Sequence, residues 1–195
     1  MEDSLLTRIA RSVRPRKDRI RDIFNSPPQS FVDRFPSVPP PDEALSPIML
    51  AARWSTHDLY GEDMPRVAAD LLELGIDTPS LRRLAGETGI THSADVEPLV
   101  AAVFRELGVD YPLSGGKAEL VFSRQVAREV IHGRRNAWDA AGQLEIANRF
   151  RNTPELDPIS DIVDELHWDA GHGRSVSVLN NALIEAFARL AVQEI

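Results

Sequence analysis

Cysteine is absent from all 195 residues, which excludes a disulfide framework, a thiol nucleophile and any thiolate metal site. Long apolar runs are absent as well. No stretch approaches the roughly 18 apolar residues of a membrane span, and MEDSLLTRIARSV lacks the uninterrupted apolar core of a signal peptide. A soluble, cytoplasmic protein is therefore expected. No convincing run of alternating apolar residues occurs, so strands are not expected. Catalytic signatures are equally scarce. Ser123, Ser175 and Ser177 have no surrounding G-x-S-x-G elbow, and Ser114-Gly115-Gly116-Lys117 lacks the full phosphate-loop spacing, so an interhelical turn suits it better.

What the chain does have is charge and helix punctuation. It carries 22 Lys/Arg against 30 Asp/Glu, a net charge of −8, and the two signs are unevenly placed. Residues 1–24 hold seven basic and four acidic groups, while the remainder is strongly acidic. Such a body repels phosphate backbones at long range, which disfavours nucleic-acid binding by the body. A hydrophobic content of 43% is enough for a core of ordinary size.

Residues 62–108 show the punctuation best. Pro65 suits a first helical turn, Val67, Leu71 and Leu74 form one apolar stripe, and Gly75 closes the helix. Thr78 is placed to cap the next helix, with Pro79 where a missing donor costs nothing. Ser46-Pro47 and Asp157-Pro158 repeat this device. The first body helix is expected to run from Pro47 to about Leu59, before Gly61. Ser93 or Asp95 starts a helix that ends at Gly108. Phe122, Val126 and Val130 mark a helix over 117–132 with Gly133 as its stop, and others follow over 137–150, around Ile159 to Leu166, and from Val176 to Leu190. The expectation is an all-α protein: a single compact bundle of about six or seven helices over residues 45–195. A basic amphipathic arm over 1–26 and a Pro-rich strap over 27–44 precede it. Phe31, Phe35 and Val38 argue that the strap lies partly against the body.

DLLELGIDTPSLRRLAG, PLVAAVFRELG and the stretch from Gly133 to Ala141 resemble a group of small, uncharacterised, all-helical bacterial proteins, over roughly residues 47–190. The resemblance implies a fold and no assigned activity. An immunity-protein or accessory-partner role is in keeping with small acidic helical proteins of this kind.

Candidate binding residues fall in two places. In the arm, Leu5, Ile9 and Val13 share an apolar arc while Arg8 and Arg11 lie on the opposite one, a pattern that suits a partner's apolar groove, an anionic membrane or nucleic acid. In the body, Arg124 and Arg128 share a helix face opposite Phe122, Val126 and Val130. With Lys117, His132, Arg134 and Arg135 they make a basic ridge for an acidic partner, or a solvated face answered by local carboxylates. Residues 62–86 also fit a helix-turn-helix, although Arg82 and Arg83 are its only basic readers and core packing explains the pattern better. Trp54, Trp138 and Trp168 are expected to be half-buried packing residues.

Glu165, His167, Asp169 and His172 offer imidazole and carboxylate donors close together. The two histidines are five apart, which does not suit one helix face. The expected function is thus a non-enzymatic protein-binding module without cofactor, whose protein partner is encoded by an adjacent gene. Two alternatives remain: a metal-dependent enzyme built on His167, Asp169 and His172 with Glu165, and a nucleic-acid accessory factor using the arm.

Overall fold

The computed structural model describes residues 27–42, 45–113, 116–151, 153–168 and 175–193. Among these residues there is no strand, only an isolated bridge between Ser30 and His132. Eight α-helices follow in order: α1 Pro47–Ser55, α2 Met64–Glu73, α3 Pro79–Ala85, α4 Ser93–Glu106, α5 Lys117–Ile131, α6 Ala137–Arg151, α7 Asp157–Trp168 and α8 Val176–Val192. Short 3-10 turns, Gly61–Asp63 and Pro154–Leu156, lead into α2 and α7. The all-α expectation holds. The described residues hold eight α-helices against the expected six or seven, with Gly75 (φ 83°) separating α2 from short α3 as its sequence position implies. Contacts divide the described residues into two compact units, one within Asp42–Gln125, the other combining the described residues up to Pro41 with those from Val126 onward.

In the 42–125 unit the apolar stripes close on one another. Leu50 and Trp54 of α1, Met64, Val67 and Leu71 of α2, Leu81 and Leu84 of α3, and Val100 and Phe104 of α4 belong to one buried cluster. Phe104 is 1% exposed and lies 5.1 Å from the Tyr111 ring. Full burial of such a side chain contributes about 1.5–3 kcal/mol. Thr78 caps α3 as its sequence position implies, its Oγ1 accepting the Leu81 N–H at 3.3 Å. The matching expectation for Ser46 fails. Its side chain makes no capping bond, and its Oγ is buried without a hydrogen-bond partner.

The other unit contains α6 to α8 and the last residues of α5. Ile159, Ile162, Val163 and Leu166 of α7 and Leu179, Leu183, Phe187 and Leu190 of α8 are buried, which follows their helical spacing. Asn136 starts α6 by accepting the N–H groups of Trp138 (2.8 Å) and Asp139 (3.2 Å). Buried Asn148 joins α6 to α7: its Oδ1 accepts the Thr153 N–H at 2.6 Å, and its Nδ2 donates to Asp157 and Ser160.

Part of the Pro-rich segment packs within this same unit. The Phe31 N–H donates to the Ile131 carbonyl at 2.7 Å, Val38 is 5% exposed, and the Val38 and Pro39 carbonyls lie 3.4 and 3.1 Å from His132 Nε2. Arg34 reaches Asn181 and Glu185 on α8. At the end of α5, Gly133 (φ 70°) both stops the helix and leaves room for the segment, since a Cβ there would lie 2.7 Å from the Ser30 nitrogen.

Candidate functional site

A groove in the 42–125 unit begins where α1 stops. The helix ends at Ser55, short of the expected Leu59, because Thr56 Oγ1 donates back to the Ala52 and Arg53 carbonyls. The chain then turns through His57, whose φ of 61° is uncommon for a non-glycine residue. The Arg53 carbonyl accepts the N–H groups of Asp58 and Leu59, and the Arg53 guanidinium holds the Asp58 carboxylate at 2.7 Å. This turn delivers Tyr60 to the surface with 54% of its area exposed.

The backbone under Tyr60 is fixed on both sides. Its N–H donates to Asp63 Oδ2 at 2.9 Å, and the Gly61 N–H donates to Ser93 Oγ at 2.9 Å. A Cβ on Gly61 would lie 2.8 Å from Ser93 Cα, so close apposition of two backbones requires glycine here. Across the groove, Asp95 accepts the N–H groups of His92 (2.9 Å) and Thr91 (3.3 Å). These backbone donors, that of His92 foremost, hold the Asp95 carboxyl below its ordinary range. Two cavities share Tyr60 and Ser93 in their linings. One, of about 280 Å³, is lined by Tyr60, Gly61, Glu62, Ile90, Thr91, His92 and Ser93. The second, of about 190 Å³, is lined by Trp54, His57, Leu59, Tyr60, Ser93 and Glu97. The Trp54 indole behind it also hydrogen-bonds Tyr111, whose phenol is pushed up by burial.

A separate cavity of about 340 Å³ lies in the other unit, among Pro27, Pro28, Phe31, Arg135, Asn136, Trp138, Ser177 and Asn180. Its cation is already engaged: Arg135 pairs with Glu129 at 3.0 Å and bonds Gln143 at 2.6 Å. The Trp138 indole donates to Asn180 Oδ1 at 3.0 Å and is 2% exposed, so it serves as a wall rather than a platform.

The expected basic ridge does not lie wholly at the surface. Arg128 is 8% exposed, and its Nε donates to the Ala191 carbonyl at 3.3 Å. It is a framework group, and the expectation of a solvent-facing stripe shared with half-buried Arg124 is corrected accordingly. The reason is that α5 is buried on most of its circumference, Ala118, Val121, Ser123 and Ala127 being buried along with Phe122, Val126 and Val130. Of the supposed DNA-reading helix, Leu81 and Leu84 are core residues and Arg82 is paired with Asp77. Trp54 is more fully buried than expected, at 7% exposure.

Leu5, Arg8, Ile9, Arg11 and Val13 lie outside the described residues, as do Asp169 and His172 and the side chain of His167. Glu165 is half-buried on α7. Among the described residues no helix is long and apolar enough to cross a membrane. Tyr60 is not marked by any sequence pattern above, and Ser93 is marked there only as a helix start. The available signal was an Asp placed three residues after Tyr60 and another three after His92, each able to reach back to a backbone donor.

No family model, curated protein or solved structure matches the chain.

Proposed function

We propose that this protein is a non-enzymatic protein-binding module of the immunity-like or accessory kind, and that it engages its partner by surface complementarity at the Tyr60 groove. One observation carries this reading: a tyrosine, 54% exposed, lines two cavities from a backbone fixed by the Asp63 and Ser93 bonds. Tyrosine is favoured at binding hot spots because it offers a large amphipathic contact with few rotatable bonds to immobilise. Preorganisation of its backbone lowers the ordering cost of association. The immunity-like character rests on the resemblance over residues 47–190. The basic arm would supply a second contact through Leu5, Ile9 and Val13, with Arg8 and Arg11 beside them.

The experiment is co-expression with the product of the adjacent gene, followed by titration of the purified proteins. A stable complex is expected, and Tyr60→Ala is expected to weaken it by about 2 kcal/mol, about thirtyfold. A complex indifferent to Tyr60→Ala, or no complex at all, refutes the reading.

A further inference from the structure

We infer that the Tyr60 groove receives a basic side chain, the guanidinium or ammonium of an Arg or Lys on the protein partner. This deepens the protein-binding reading and rests on it. Size gives the first argument. Cavities of about 280 and 190 Å³ fall below the roughly 300–1,000 Å³ typical of drug-sized ligands, so each suits a single side chain better than a cofactor.

Charge gives the second. No Lys or Arg lines either cavity, whereas each carries one glutamate, Glu62 in the larger and Glu97 in the smaller. The neighbouring acids are structurally committed: Asp63 to the Tyr60 N–H, Asp95 to the Thr91 and His92 N–H groups, and Asp58 to Arg53. Glu62 has no such partner among the described residues, and Glu97 has none beyond the charge it places near the Tyr111 phenol. An exposed aromatic face beside two such carboxylates is complementary to a cation, which is attracted to a ring when it lies within about 6 Å of the centroid. Arginine fits best, because its planar head stacks on an aromatic ring while its donors point outward to carboxylates.

The full chain is titrated with an acetylated and amidated Gly-Arg-Gly-Arg-Gly peptide and with its citrulline counterpart, which keeps the shape and loses the charge. Backbone amide shifts are followed. The expected shifts concentrate at Tyr60 to Asp63 and Ile90 to Ser93, with the arginine peptide bound about fivefold more tightly. Tyr60→Ala and the double variant Glu62→Gln/Glu97→Gln are each expected to erase that preference. Glu73→Gln/Asp110→Asn, which removes the same charge outside the groove, is expected to retain it. Equal binding of the two peptides, shifts spread over the acidic surface, or equal loss in the control variant overturns the inference. The two readings fail separately. If the partner complex is weakened by Tyr60→Ala but not by Glu62→Gln/Glu97→Gln, protein binding stands and cation recognition falls.

Discussion

Gly133→Ala tests whether the Pro-rich segment is an integral layer of its unit. Two costs arise at this position. The first is conformational, since φ is 70° and the left-handed region costs a residue with a Cβ about 1–2 kcal/mol. The second is steric. The new Cβ would lie 2.7 Å from Ser30 N, 3.0 Å from Ser30 Cα and 3.1 Å from the Gln29 carbonyl carbon, all backbone atoms that cannot rotate away. Residues 29–31 must move, and the bond from Phe31 N–H to the Ile131 carbonyl (2.7 Å) is the nearest casualty. Its loss costs about 0.5–1.5 kcal/mol. The expected total is about 1.5–3.5 kcal/mol. Gly75→Ala supplies the control, because φ is 83° there and nothing lies within 4 Å of the added Cβ, which leaves the conformational cost alone. Urea unfolding followed by far-ultraviolet circular dichroism measures both variants, and amide exchange at Phe31 reports the lost bond directly. If Gly133→Ala costs no more than Gly75→Ala and leaves Phe31 protected, the packing of the segment on the end of α5 is wrong.

Thr78→Ala is expected to lower stability by about 0.5–2 kcal/mol through loss of the α3 cap, read as a shift in the denaturation midpoint, and an unchanged midpoint would show that the 3.3 Å bond does not hold the helix start. Asp95 gives a pH prediction. Its folded pKa lies below the ordinary 3.8 because the His92 and Thr91 N–H groups favour the charged form, so its contribution is present above about pH 3.8 and is lost as pH falls towards the depressed value. Asp95→Asn is expected to flatten the stability profile in that acid window only. A difference between variant and parent that continues to change with pH above 5 contradicts the assignment.

Local features of the fold were legible because they depend on neighbours a few residues apart. Thr78-Pro79, the stripes of α7 and α8, and the stop at Gly133 required only helical period and backbone sterics. Ser46 shows the limit of that logic. It has the right residue type before a proline, yet its hydroxyl is buried without a bond, and burial is a tertiary property. The end of α1 was misplaced because the Thr56 hydroxyl terminated the helix and His57 took the left-handed turn, so Gly61 was not needed as a stop. Instead Gly61 permits close approach to Ser93, a contact no local pattern announces. Arg128 was placed outside because charge predicts exposure. On a helix buried around most of its surface, its guanidinium instead finds a backbone carbonyl on α8. The groove was illegible for the same reason, since its two walls meet only after α2 and α3 have folded between them.

The most direct test of the account is hydrogen–deuterium exchange of the full chain, alone and saturated with the product of the adjacent gene. The account predicts new protection concentrated at Tyr60 to Asp63 and Ile90 to Ser93, where the groove backbone is already held by Asp63, Ser93 and Asp95. Protection confined to other helices, with these two segments exchanging as in the free protein, contradicts it.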